Sequence, residues 1–224
     1  MINELFSVSP SKNWAEKFTG LTAMEGFKPV GENGDYPTDG MEESFSKTLE
    51  HMTWKDSFSL SREIIDDGKV MDLKKKPAGF VTGYYRTREK FGAALLAGAV
   101  NGLSSVSFGG KKFDATCADN LSLFNTAHPS KLKKATQSNK FADAFSDDAL
   151  GAMESAMQNF KGDNGEILDV SPDTIVIPNH YELKKQVFAC IGADKDPNTA
   201  NNGFNYQYGN IEAKILLKMV RYRF

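Results

Sequence analysis

Five side chains hold most of the catalytic chemistry open to this 224-residue sequence: His51, His128, His180, Cys117 and Cys190. A zinc site needs ligands at short fixed spacings, as in HxxxH, HExxH or CxxC, so that one helical turn or tight loop aims both at one ion. None of these spacings occurs. Cys117 and His128 could act as nucleophile and base, which requires their side chains within about 3 Å of each other in a cleft. No basic cluster flanks Cys117 to lower its pKa. His128 reads more simply as a turn residue that fixes the loop before Pro129. Asp66-Asp67, followed by Gly68, reads as a polar surface turn rather than a paired-carboxylate metal site. Gly109-Gly110-Lys111-Lys112 lacks the spacing and trailing hydroxyl of a phosphate-binding loop, and reads as a turn with solvated lysines. No catalytic, cofactor-binding or metal-ligating residue is assigned, and no cofactor is expected; the chain reads as a non-enzyme.

The bulk composition narrows the partners. Twenty-seven basic and 29 acidic residues leave a formal charge of −2, without the basic excess of a dedicated nucleic-acid binder. Contact with DNA is expected to be non-specific only, and Lys74-Lys75-Lys76 is too short a run to change that. Hydrophobic residues make up 40% and charged residues 25%, a globular composition able to bury a core. No run approaches the roughly 20 apolar residues of a membrane span. The first residues lack the basic and apolar regions of a signal peptide. Cytoplasmic synthesis and no membrane partner are expected, and two distant cysteines suit a reducing compartment.

Periodicity supplies the elements. Trp14, Phe18 and Leu21 recur at helical spacing after Pro10-Ser11-Lys12-Asn13 and predict a short amphipathic helix in an N-terminal arm. Residues 27–41 are crowded with Pro, Gly, Asn and Asp and predict a long, exposed, extended loop. Two strand-like runs follow; in the second, Met52, Trp54, Phe58 and Leu60 alternate with polar residues. Phe80, Tyr84, Phe91 and Leu95 mark the buried stripe of a helix over about 76–100, roughly 35 Å long, with Gly102 as its stop. Ser146 is a good N-cap for a helix whose stripe is Leu150, Met153, Met157 and Phe160. Thr174 to Ile177 predicts a short buried strand, and Tyr181 to Ile191 a helix with Leu183, Val187, Cys190 and Ile191 inward. Residues 211–224 predict a further strand after an Asn-rich loop.

Four strings carry a family resemblance. Phe58-Ser59-Leu60-Ser61-Arg62-Glu63-Ile64-Ile65-Asp66-Asp67 resembles the strand-to-helix transition of tailed-phage major capsid proteins. Leu123-Phe124-Asn125-Thr126-Ala127-His128-Pro129 resembles a Phe-Ser-x-x-His-Pro string of the Mu-like prophage major head subunit family. Asp173-Thr174-Ile175-Val176-Ile177-Pro178 and the Asn-rich stretch from Asn198 to Asn205 resemble that family's later core. The resemblance implies an α+β chain with the Hong Kong 97-type capsid fold. It implies an N-terminal arm at 1–25 and an extended loop with strands (E-loop) at 26–61. A peripheral domain with a spine helix would span 62–172, including the helix from Ser146 to Phe160. An axial domain would span 173–224, incomplete because family members continue further.

The function implied is a self-assembling icosahedral head subunit of a tailed phage or prophage, residing in the virion capsid around packaged DNA. Its partners would be copies of itself, with scaffold, portal and maturation protease. Phe27, Lys28, Tyr36 and Met41 would make assembly contacts from the loop, and Phe80, Tyr84, Phe91 and Leu95 would form the spine-helix core. The alternatives are an encapsulin-like nanocompartment shell and a phage-encoded hydrolase using Cys117 and His128.

Overall fold

The alternation from Glu43 to Glu50 favours an extended chain, and an extended chain must pair its backbone groups somewhere. In the computed structural model, which describes residues 2–24, 26–38, 40–67, 70–133, 135–194 and 203–216 (backbone alone at 70–74 and 216), it pairs with the preceding segment. After a short helix α1 (Ile2–Leu5), strand β1 (Ala15–Leu21) runs antiparallel to β2 (Glu43–Glu50). Ala15 faces Glu50 and Leu21 faces Glu43, with a register irregularity between Thr19 and Leu21. The helix expected from Trp14, Phe18 and Leu21 is therefore a strand. A helix of two turns is marginal by itself, below the about 12–15 residues an isolated helix needs, whereas pairing with β2 satisfies the same backbone groups. The result is a two-stranded ribbon whose ends are joined by the long connection 22–42.

Helix α2 (Arg62–Asp66) leads to α3 (Val70–Val100), 31 residues and about 46 Å long. It starts before the expected boundary and continues through Pro77, which costs it one backbone hydrogen bond. Its end is built as expected at Gly102, in the left-handed region at φ 72. Gly102 N donates to Ala99 O at 3.0 Å and Leu103 N to Gly98 O at 2.9 Å, the paired bonds that close a helix with a left-handed glycine.

Glycines of α3 let other elements come close. Strand β3 (Ser105–Phe108) forms a hairpin with β4 (Lys111–Asp114) through Gly109 and Gly110, whose φ values of 58 and 78 suit a two-residue turn. Val106 of β3 lies over Gly98 so closely that a Cβ there would stand 2.3 Å from its Cγ2. Ile2 of α1 covers Gly92 in the same manner, at 2.9 Å. Around this contact Trp54, Phe91, Phe108 and Phe113 form an aromatic cluster with ring centroids 4.8–5.9 Å apart.

The run 52–60, expected to be a strand, forms no ladder. Its alternation instead turns Trp54 into that cluster and Phe58 onto Phe80, centroids 5.6 Å apart. The expected buried stripe of α3 divides accordingly. Phe91 and Leu95 are half-buried, while Phe80 is 38% and Tyr84 59% exposed, because the hairpin and α1 pack on the C-terminal half of the helix.

A second core lies further along the chain. Strands β5 (His128–Pro129) and β6 (Thr136–Gln137) make a small hairpin. Helix α4 (Asp147–Gln158) starts at the expected cap, Ser146 Oγ accepting from Ala149 N at 3.1 Å. Strand β7 (Thr174–Pro178), helix α5 (Tyr181–Ile191) and strand β8 (Glu212–Leu216) form a β-α-β unit with parallel strands. Leu150, Ile177, Val187, Cys190, Ile191 and Ile211 are buried together there. Helix α4, assigned from the sequence to the peripheral part, thus packs with the elements assigned to the axial part.

Gly98→Ala should lower the midpoint of a thermal melt, by about 1–3 kcal/mol of stability, because β-branched Val106 cannot turn aside cheaply. Gly79→Ala in the same helix meets nothing within 4 Å and should stabilise by about 0.5–1 kcal/mol. Phe91→Asp places a carboxylate among three aromatic rings and should cost more than either, as urea denaturation would show.

Candidate assembly interface

The ribbon is fastened to the body by polar groups of β2 and its surroundings. Lys47 Nζ donates to Asp114 Oδ2 at the end of β4 and to Thr116 Oγ1 at 2.6 Å. Burial opposes ionisation of Asp114, but hydrogen bonds from Lys47 and from the Thr116 hydroxyl and N–H outweigh it and bring its pKa to about 2. Closer to the tip, Lys131 Nζ donates to Glu43 O at 2.6 Å and Ser44 O at 3.2 Å, and lies 5.9 Å from the Phe45 ring centroid. Asp163 accepts from Ser44 Oγ at 3.3 Å and from Lys131 N at 3.2 Å, and Asn164 Nδ2 donates to Met24 O at 3.1 Å. Two loops, around 130–133 and 162–166, bonded to each other through Ser130, Lys131 and Asp163, so hold the ribbon.

Beyond these fasteners the connection is open to solvent. Phe27 and Tyr36 are almost entirely exposed, Met41 more than half, and Lys28 is exposed. Phe27 and Lys28 line a shallow groove with Asn164 and Glu166, so the four residues expected to make contacts share one exposed connection. The outer face of α3 is similarly bare: Val81, Tyr84 and Tyr85 are exposed beside a cleft of about 740 Å³ that Trp54 and Phe80 also line. In total the chain exposes 16673 Å². A compact monomer of 24.7 kDa would expose about 10,000 Å². The difference amounts to several standard interfaces of about 800 Å² per partner.

The one nucleophile–base pair the sequence offered is not assembled. His128 Nδ1 contacts Asp119 Oδ2 at 2.6 Å and Nε2 lies 3.3 Å from Leu123 O, so both ring nitrogens are engaged elsewhere. Burial and then the Asp119 carboxylate push the Cys117 thiol above its ordinary pKa, against a smaller opposing effect of Lys47. Burial also works against the Asp119 charge, but the His128 and Leu121 N–H contacts prevail and lower its pKa. His128, expected in a turn, lies in strand β5, and its ring braces the 119–123 loop. Among the described residues no cluster of three or more His, Cys, Asp or Glu could hold a metal ion.

An exposed ribbon, a half-bare long helix and a surplus of surface are features of a subunit made to be covered by other subunits. A family model described as phage capsid protein matches residues 46–219. This chain belongs to the phage capsid protein family. The match begins within β2 and takes in α3 and the second core. The fold agrees: the chain is similar in structure, with a TM-score of 0.60 over 97% of its length and 90% of the other chain, to a chain of the bacteriophage JBD30 capsid decorated with minor capsid protein trimers. Sequence identity there is 14%, so that likeness bears on the fold. No curated protein matches the chain. Family and fold together support a structural capsid subunit rather than an enzyme.

Because the Asp114 pKa is depressed in the folded chain, the Lys47–Asp114 pair stabilises fully above the ordinary carboxylate pKa. That contribution is lost as pH falls from about 4 toward about 2. Hydrogen-exchange protection factors of the β2 amides, each taken against the intrinsic rate at the same pH, should therefore fall across that window in the wild type and show no such step in Asp114→Asn. At neutral pH, Lys131→Ala should speed exchange at Ser44 and Phe45 while leaving the α5 amides protected.

Proposed function

We propose that this chain is the major head subunit of a Mu-like tailed phage or prophage, with a Hong Kong 97-type fold, and that it assembles into an icosahedral shell around DNA. The observation that carries this reading is the ribbon: two strands, fastened to the body by polar contacts along β2, present an apolar and acidic connection with no core of its own. Such an element gains burial only on another subunit, and extended segments can cover much area there. In this reading β1, β2 and residues 22–42 are the E-loop, α3 is the spine helix, and β7, α5 and β8 belong to the axial domain. Phe27, Lys28, Tyr36 and Met41 are its assembly contacts.

Charge supports the pairing of loop and helix. Residues 22–42 carry Glu25, Glu32, Asp35, Asp39 and Glu42 against Lys28 alone. Helix α3 carries Lys74, Lys75, Lys76, Arg86, Arg88 and Lys90 against Asp72 and Glu89. An acidic, aromatic loop and a basic helix are complementary in charge, which sets register and suppresses wrong contacts more than it adds affinity. Many such weak contacts act together in a closed particle. The subunit's small net charge also suits a wall that need not grip DNA.

Deleting residues 30–40 should leave a subunit whose melt and circular dichroism match the wild type but which yields no shells by electron microscopy. Particles of wild-type appearance from the deletion would remove the loop from the assembly contacts. A wild-type chain that stays monomeric at high concentration would count against the shell reading as a whole.

A further inference from the structure

Asparagine amides are among the thermolabile groups of proteins. They are lost when the backbone nitrogen of the next residue attacks the side-chain carbon, and a following glycine obstructs that attack least because it has no Cβ. The chain has four Asn-Gly pairs, beginning at Asn33, Asn101, Asn164 and Asn202. Asn202 lies outside the described residues. In the other three pairs the glycine N–H makes the same bond, to the carbonyl three residues before it. Gly34 donates to Gly31 O at 2.9 Å, Gly102 to Ala99 O at 3.0 Å and Gly165 to Gly162 O at 2.9 Å. The attacking nitrogens therefore do not separate the sites.

The asparagine side chains do. Asn164 is held at both ends of its amide, Nδ2 donating to Met24 O at 3.1 Å and Oδ1 accepting from Glu166 N at 3.1 Å. Asn101 Nδ2 donates to Ala97 O at 2.8 Å, and its own N–H reaches the same carbonyl at 3.1 Å, at the closed end of α3. Asn33 is exposed, and no described residue hydrogen-bonds its amide. A side chain must rotate out of such bonds before its carbon meets the backbone nitrogen. Each bond that has to break slows the step by up to about tenfold. The turn around Asn33 is closed by the single Gly31–Gly34 bond on an exposed connection, and it opens at little cost.

We propose that Asn33-Gly34 is a site of spontaneous deamidation, and the one among these three pairs at which the folded subunit reacts first. Gly34 N gives its proton to water or hydroxide and bonds to Asn33 Cγ. The Cγ–Nδ2 bond breaks, and the nitrogen takes a proton back from solvent and leaves as ammonia. The cyclic imide that remains adds a water molecule at either carbonyl and opens to aspartate or isoaspartate. The product places a new negative charge between Glu32 and Asp35, and the isoaspartate form lengthens the backbone by one carbon. The site lies between Phe27 and Met41. On the shell reading, on which this last step rests, a free subunit ages at its assembly contacts, whereas one whose connection is covered by a neighbour is protected.

Two measurements on the full chain test this. First, the free subunit is held at mildly alkaline pH for days, and the peptides carrying Asn33, Asn101 and Asn164 are followed by mass spectrometry. The Asn33 peptide is expected to gain the mass of an amide-to-acid exchange about tenfold faster than either of the others. In urea, which removes the side-chain bonds, the three rates are expected to converge. Equal native rates, or Asn101 or Asn164 ahead, overturn the site. A spread that persists unchanged in urea overturns its structural basis. Second, assembled particles are aged beside free subunits, and slower conversion of Asn33 in the particles is expected. Equal rates overturn protection by a neighbour while leaving the shell reading intact. Failure to form particles removes that reading, and the protection with it, but not the site.

Discussion

The close approach of β3 to helix α3 at Gly98 is the contact on which the rest of the subunit depends. With no Cβ at that position, Val106 settles almost onto the helix backbone, and the β3–β4 hairpin is held flat against α3. The hairpin then supplies Phe108 and Phe113 to the cluster around Trp54 and Phe91. It also carries Asp114, the anchor for Lys47 on the ribbon. A larger residue at Gly98 would therefore disturb both a core and a fastening. Gly92 does the same for α1, so two separate elements reach the helix only where side chains are smallest.

That concentration of packing on one half of α3 leaves the other half uncovered. A helix of about 46 Å is longer than the body that packs on it, and its Val81, Tyr84 and Tyr85 stay in solvent. In a free-standing enzyme such a surface would be a liability. In a chain of the phage capsid protein family it is area available to other subunits. The ribbon complements it, being held to the body by an ion pair and hydrogen bonds instead of a core. Polar fastenings of this kind depend on direction and distance, so they set where the ribbon leaves the body while contributing little apolar burial. Its own hydrophobic residues, Phe18, Leu21 and Leu49 among them, remain exposed.

The buried amides of the second core follow a related logic. Asn205 substitutes for missing backbone partners at the end of α5, bonding the Cys190 and Ala193 carbonyls that the helix leaves open. Burying amides forces the intervening aromatic rings outward. Order inside the subunit and exposed aromatic surface outside it thus come from the same five residues.

Much of this was fixed by sequence pattern alone. The long helix and its stop at Gly102, the Ser146 cap, the strand at Thr174, the inward face of α5 and the turn at Gly109-Gly110 all rest on local chemistry, which does not wait for a partner. Tertiary structure decided the remainder. Trp14, Phe18 and Leu21 have the spacing of a helix face, and pairing with Glu43–Glu50, a segment far along the chain, overrode it and made β1 a strand. The alternation at 52–60 promised a ladder, yet its apolar residues were claimed by aromatic rings on α3 and the hairpin. Phe80 and Tyr84 have the spacing of core residues and lie outside it, because periodicity shows which face of a helix is apolar and not whether this subunit or another one covers it.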